Sequence, residues 1–174
     1  MCFERVTCET ASEVSHIYAL AWKTAYRGIV PQPYLDELSL ERWTPKLGCS
    51  SYQDYALKAE GRFVATSTIA PARDATMPGW GEVISIYVLP EQFHKGYGSR
   101  MLRYGTERLR EQGFDKLYLW VLEQNHNARL FYEKMGFQPN GDRKLEEIGG
   151  RKLMEVRYVR ICEKTPGSNE NAVS

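Results

Sequence analysis

The 174-residue sequence predicts a single α/β (α+β) domain with a mixed sheet, and three observations lead there. Two near-continuous apolar runs, Glu82–Leu89 and Lys116–Leu122, read as strands buried on both faces, as at the centre of a sheet covered by helices. Each is followed by a stretch whose apolar residues recur with helical spacing. Paired strand signals around Glu60-Gly61 and Gly149-Gly150 place hairpins before and after these units, so strands lie before, between and after helices. The length suits one domain that buries enough surface to fold without metal or disulfide staples.

Thr10 and Glu13 form a capping-box pattern at a helix start. Val14, Ile17, Tyr18, Ala21, Trp22 and Ala25 carry that helix to about Tyr26, where Gly28 permits a left-handed stop. Pro31 and Pro33 punctuate a shorter helical stretch holding Leu35, Leu38 and Leu40. Tyr52–Ala59 and Arg62–Ile69 form the first hairpin, and residues 71–81 a loop. After the strand from Glu82, a connection over 91–97 leads into a helix from about Gly98 to Gln112, with Met101, Leu102, Gly105 and Leu109 on one side. After the second buried strand, a helix over 125–135 carries Ala128, Phe131, Tyr132 and Met135 as a stripe, and Gly136 stops it with Phe137 folding back. Lys144–Glu147 and Lys152–Ile161 make the last hairpin. The domain is expected over residues 1–163, and 164–174, rich in Pro, Gly, Ser and Asn, is expected to be a disordered tail.

A formal charge of +1 and a pI near 7.6 exclude a protein that holds nucleic acid through an overall basic excess. The charge is weakly divided: residues 1–90 carry 8 basic and 10 acidic side chains, residues 91–135 carry 8 and 6. The start lacks the basic and apolar regions of a signal peptide. The longest apolar run, Leu117–Leu122, falls far short of the roughly 20 residues that span a bilayer, so no membrane partner is expected. Cys2, Cys8, Cys49 and Cys162 show no closely paired ligand spacing, which reads as a reduced cytoplasmic protein without a metal site.

Three features between residues 82 and 137 carry chemistry. The loop Lys95-Gly96-Tyr97-Gly98-Ser99 lies between a buried strand and a helix, where two glycines let successive N–H groups and the helix N-terminus point at one anion. It matches neither a Walker loop nor a dinucleotide fingerprint. The segment Asn125–Phe137 begins with an N-cap residue and carries Tyr132, and Glu82 stands where loop becomes buried strand. Singly, each has an ordinary reading as a turn, a cap, a core aromatic or a solvated carboxylate.

Together and in this order they resemble the GNAT superfamily of acetyl-CoA-dependent N-acyltransferases. That family's core is a strand, a Gln/Arg-x-x-Gly-x-Gly/Ala loop and a helix, then a strand, an Asn and a helix bearing a Tyr. Here the loop is Phe93-His94-Lys95-Gly96-Tyr97-Gly98, and the second half is Asn125, Ala128, Phe131, Tyr132 and Gly136-Phe137. The resemblance is dense over 81–137 and looser over 21–38. It departs at Phe93, which holds the first motif position, with Gln92 one residue early. Because the loop acts mainly through backbone amides, cofactor binding is expected to survive the departure.

The resemblance implies a mostly antiparallel central sheet with splayed central strands and acetyl-CoA as co-substrate. Its pantetheine arm would lie beside Ile86, Tyr87 and Val88 and its pyrophosphate on His94, Lys95, Gly96, Tyr97, Gly98 and Ser99, with Phe93, Asn125 and Tyr132 completing the cofactor site and Lys95 and Arg100 favouring the polyanion. Glu82 carries over as general base, directly or through water. Tyr132 carries over as general acid for the leaving thiolate, and a backbone N–H near Val88 polarises the thioester. The acceptor is a primary amine of a small molecule or peptide, with Trp22, Tyr26 and Trp80, and Tyr18 on the same helical face, as candidate walls. A CoA-binding sensor without turnover is the rival reading. The last hairpin offers an edge strand for a homodimer.

Overall fold

Seven strands form one sheet in the order β1-β2-β3-β4-β5-β7-β6 in a computed structural model that describes residues 1–162. The domain boundary expected after residue 163 and the expected tail lie outside the described residues. The strands are β1 (Cys2–Arg5), β2 (Gln53–Ala59), β3 (Arg62–Pro71), β4 (Gly81–Val88), β5 (Lys116–Leu122), β6 (Gln138–Ile148) and β7 (Arg151–Ile161). The helices are α1 (Ala11–Ala25), α2 (Gln32–Asp36), α3 (Tyr97–Glu111) and α4 (His126–Lys134). Every strand pair is antiparallel except β4 and β5, which are parallel neighbours at the centre.

Local chemistry sets most of these boundaries. Glu60 and Gly61 take φ 52° and 81°, both in the left-handed region that a two-residue hairpin turn matching strand twist requires. Gly136 takes φ 85° after α4, and Phe137 donates its amide back to the Tyr132 carbonyl while its ring is fully buried, the folded-back stop read from the sequence. Two apolar layers cover the sheet. On one face Leu102 and Leu109 of α3 pack with Ile69, Val83, Leu117, Leu119 and Phe137. On the other Val14, Ile17 and Tyr18 of α1 pack with Ala56, Phe63 and Leu89.

Several expectations are corrected. Thr10 precedes α1 without capping it: its hydroxyl exchanges hydrogen bonds with Thr7, and Glu13 accepts from the Phe63 amide in β3. A tertiary partner displaces the local reciprocal cap. The second helical stretch is only one turn long, α2, with Pro33 in its first turn, and Leu38 and Leu40 fall beyond it. Strand β6 begins at Gln138 rather than near Lys144; its N-terminal half is polar and exposed, with an irregular register between Pro139 and Arg143. Cys8 and Cys49, expected to be reduced, are joined in a disulfide. The pairing of β1 with β2 carries the chain after one strand past the chain before the other. Gly48 then lies so close that a Cβ would stand 2.5 Å from the Thr7 carbonyl carbon. Among the described residues no helix is long and apolar enough to cross a membrane.

At the centre, Gly81 lets β4 meet β5. A Cβ there would stand 3.0 Å from Leu117 Cδ2 and 3.1 Å from both Leu109 Cδ2 and Phe114 Cβ. Gly81→Ala should therefore lower stability by about 1–2 kcal/mol through overpacking. Urea unfolding would register this as a lower midpoint with an unchanged slope.

Candidate active site

The site begins where sheet pairing stops. Strands β4 and β5 share two register positions, Gly81 with Leu117 and Glu82 with Tyr118, and then part. The Leu89 amide donates to the Val64 carbonyl at 2.9 Å, and in an antiparallel ladder alternate residues turn their amides to the same neighbour. Leu89 and Tyr87 therefore face β3, while Val88 and Ile86 present N–H and C=O to the gap on the β5 side. Burial follows: the first three residues of β4 are buried and the next five only half-buried.

At the open end of the gap, the connection to α3 concentrates backbone donors. His94 and Gly96 take φ 62° and 81°, the former costing a non-glycine residue about 1–3 kcal/mol. Gly96 is the residue before α3, whose first amides lack intrahelical acceptors and carry the positive end of the helix dipole. Gly98 lies in the first turn, beside Val88 and Phe131. Gln92, one position early for the motif, is buried and accepts a 3.0 Å hydrogen bond from Lys95 Nζ, so the Lys95 ammonium is held on the loop itself. Phe93 takes an extended conformation with its ring edge-on to His94. The loop thus offers amides of residues 94–99 rather than a side-chain amide at the first motif position.

Helix α4 starts beside the same opening. Asn125 Oδ1 accepts the Ala128 amide at 3.2 Å, the N-cap that its residue type favours. Tyr132 packs among Phe131, Phe137 and Tyr158, and its hydroxyl bonds to no described residue. Burial, with the nearby Tyr26 second, pushes this phenol well above its ordinary pKa, so it stays protonated through the neutral range. The open part of β4, the 93–99 loop and the start of α4 are brought to one end of the sheet.

Glu82 stands at the closed end of the gap, only 2% exposed. Its Oε2 accepts from the Arg73 amide (3.2 Å), Arg73 Nε (2.9 Å) and the Tyr118 hydroxyl (2.9 Å), and its Oε1 accepts from an Arg73 terminal nitrogen at 2.7 Å. Burial alone would raise this carboxyl, but the hydrogen bonds and charge of Arg73, with Tyr118, hold it below the ordinary value. Tyr118 is pushed up to about 12 by burial and by donating to Glu82. Its hydroxyl also accepts the Asp74 amide, and the Arg157 guanidinium lies 5.4 Å over its ring. Arg157 is in turn paired with Asp74 and Asp142.

The α1 face of the site is aromatic. Trp22 Nε1 donates to the Tyr87 hydroxyl at 2.9 Å. Trp22 meets Tyr26 edge-on at 4.8 Å and Trp43 at 5.5 Å, and Tyr18 lies 4.6 Å from Tyr87. The Tyr18 hydroxyl lies 2.7 Å from Thr68 Oγ1, which donates to Asp54, and 2.9 Å from Ser85 Oγ. Trp22 and Tyr26 are thus brought to Tyr87. Trp80 is not: it precedes β4 at the other end, beside Lys116. A cleft of about 200 Å³ between Ile29, the end of β5 and the β6–β7 hairpin includes Leu122, Glu123, Leu145 and Leu153. Sequence reading missed Arg73, Trp43, Tyr118 and Arg157. The β3–β4 pairing sets Ala70 opposite Glu82, and Arg73 reaches the carboxylate from the loop beyond, a placement that no spacing along the chain signals. Among the described residues no group of three or more His, Cys, Asp or Glu side chains could hold a metal ion.

A sequence profile of the acetyltransferase (GNAT) family matches residues 13–137. YuaI of Bacillus subtilis (strain 168), named as an uncharacterized N-acetyltransferase, is 28% identical over 85% of this chain and 86% of its own. The spermidine N(1)-acetyltransferase of Thermoplasma acidophilum is 23% identical over 88% of this chain and 95% of its own. The crystal structure of the PaiA N-acetyltransferase from Thermoplasma acidophilum in complex with coenzyme A shares the fold, with a TM-score of 0.68 at 18% identity over 92% of this chain and 99% of that one. Splayed strands, a glycine-bearing loop at a helix N-terminus and a profile match over most of the chain converge: this chain belongs to the GNAT family and is an acetyl-CoA-dependent acetyltransferase.

Proposed function

We propose that the enzyme acetylates a primary amine of a small molecule or peptide by direct attack on the thioester, with Glu82 as general base and Tyr132 as general acid. The observation that supports this most strongly is the end of β4–β5 pairing at Glu82, which sets a buried carboxylate at the closed end of a gap into which Ile86 and Val88 present their amides. The pantetheine amides of acetyl-CoA satisfy those backbone groups, which would be costly to bury unpaired. The amides of 94–99 and the α3 N-terminus receive the pyrophosphate.

Chemistry then needs two proton movements. The amine nitrogen attacks the carbonyl carbon, the C–N bond forms and the C–S bond breaks. The proton lost from nitrogen goes to Glu82 and the thiolate takes one from Tyr132. Roughly 20 Å of strand separates Glu82 from Val88, at about 3.3 Å per residue, so the transfer to Glu82 runs through a chain of waters. An ammonium near pKa 10.4 and a carboxyl near 4.3 differ by about six units, ~8 kcal/mol for a full transfer. The ammonium therefore gives its first proton to bulk water, the neutral amine attacks, and Glu82 takes the second proton as the C–N bond forms and the nitrogen becomes acidic. On this reading the amide N–H of Val88 in the gap polarises the carbonyl. The spermidine enzyme among the relatives and the acidic balance of residues 1–90 support a cationic acceptor.

Release of CoA thiol from acetyl-CoA over a panel of amines, with mass detection of product, tests the assignment. Glu82→Gln should lower kcat by about 10²–10⁴ and Tyr132→Phe by at least about tenfold, both with acetyl-CoA affinity retained in calorimetry. Acetyl-CoA binding with no turnover on any amine would overturn the reading. Stability adds an independent check. Because folding depresses the Glu82 carboxyl below its ordinary value of 4.5, its contribution is complete above that pH and disappears as pH falls through the folded value. The difference in unfolding free energy between the native protein and Glu82→Gln should stay level at higher pH and shrink below about pH 4.5.

A further inference from the structure

We infer that the Arg73 guanidinium is a latch occupying the place of a cationic group of the acceptor on Glu82, separate from the nitrogen that attacks, so that a polycationic amine enters by displacing it. This rests on the reading of Glu82 as the base. Arg73 is the outer member of the pair: its side chain is 44% exposed, whereas that of Glu82 is 3% exposed. Both carboxylate oxygens are engaged by the Arg73 fork, so as found Glu82 cannot meet a second cation.

The remaining contacts make the latch separable from the carboxylate's own support. The Arg73 backbone amide and the Tyr118 hydroxyl both donate to Oε2 and stay in place when the Arg73 side chain leaves. Tyr118 is itself held by the Asp74 amide and lies under Arg157. Apart from Glu82, the Arg73 side chain leans, among the described residues, on the exposed Tyr52, whose ring lies 5.7 Å away. Departure of the guanidinium would free Oε1 and leave Oε2 with two neutral donors. Exchange of one cation for another at a carboxylate conserves charge, whereas a neutral amine brings nothing to replace the guanidinium. The geometry therefore selects for acceptors that carry a further cationic group at neutral pH.

Steady-state kinetics of the full chain with a polycationic amine and with a weakly basic, uncharged amine tests this. Arg73→Ala should lower KM for the polycationic amine about fivefold, the scale of a partly exposed ion pair, with kcat within about twofold and little change for the uncharged amine. Millimolar guanidinium chloride, matched with sodium chloride for ionic strength, should inhibit Arg73→Ala competitively against the amine and inhibit the native enzyme far less. Arg73→Gln, which keeps the stem over Tyr52 without the charge, should behave like the alanine variant. A fall in kcat in both variants comparable to that of Glu82→Gln would overturn the latch and make Arg73 a positioning residue. So would an unchanged KM without guanidinium inhibition, or an enzyme that accepts only uncharged amines. Full turnover in Glu82→Gln would instead overturn the assignment of the base, which separates the two failures.

Discussion

Two parallel strands that cannot stay paired organise this protein. Strand β4 is tied to β3 along its length, and β5 to β7, yet the two meet at only two positions. Backbone polar groups in a sheet interior must find partners, so the strands' separation creates a demand that the chain itself leaves unmet. Helices α3 and α4 follow these strands, and both begin at the parting end because parallel strands need crossovers that return to the same end. The gap, two helix N-termini and the left-handed Gly96 are therefore consequences of one topological choice. Gly81 keeps the junction closed at the other end by leaving room for Leu117, Leu109 and Phe114.

The closed end of the gap is also where electrostatics concentrate. A buried carboxylate needs partners, and Glu82 has four donor contacts from Arg73 and Tyr118. Asp74 and Arg157 extend the network onto β7. This arrangement stabilises the fold and, on the proposed mechanism, restrains the chemistry, because the same contacts that make Glu82 a good ion-pair partner make it a weaker base. An exposed guanidinium over a buried carboxylate resolves the conflict if the guanidinium can be exchanged for another cation. The α1 side of the site is aromatic, with the Trp22 indole N–H satisfied by the Tyr87 hydroxyl.

Much of this was legible in the sequence. The long apolar runs marked the central strands, and Glu60-Gly61 and Gly149-Gly150 marked hairpins, because local backbone chemistry decides those elements. The Gly96 loop, Asn125 and Tyr132 were readable as a pattern, since their positions follow from where strands end and helices begin. What failed depended on distant partners. Thr10 and Glu13 fit a local cap, but Thr7 and the Phe63 amide took their hydrogen bonds. Cys8 and Cys49 are 41 residues apart, and only the β1–β2 pairing brings them together. Arg73, Tyr118 and Arg157 reach Glu82 from a loop and two other strands, and no spacing along the chain encodes that convergence.

Amide hydrogen exchange resolved residue by residue along β4, with and without CoA, tests the central feature most directly. The parted strands require the Ile86 and Val88 amides to exchange quickly in the free protein while Ser85 and Tyr87, bonded to β3, exchange slowly. Saturating CoA should then slow Ile86 and Val88 by at least about tenfold, bringing them toward their neighbours. Equal protection of all four amides in the free protein, or no slowing of Ile86 and Val88 when CoA is bound, would contradict the account.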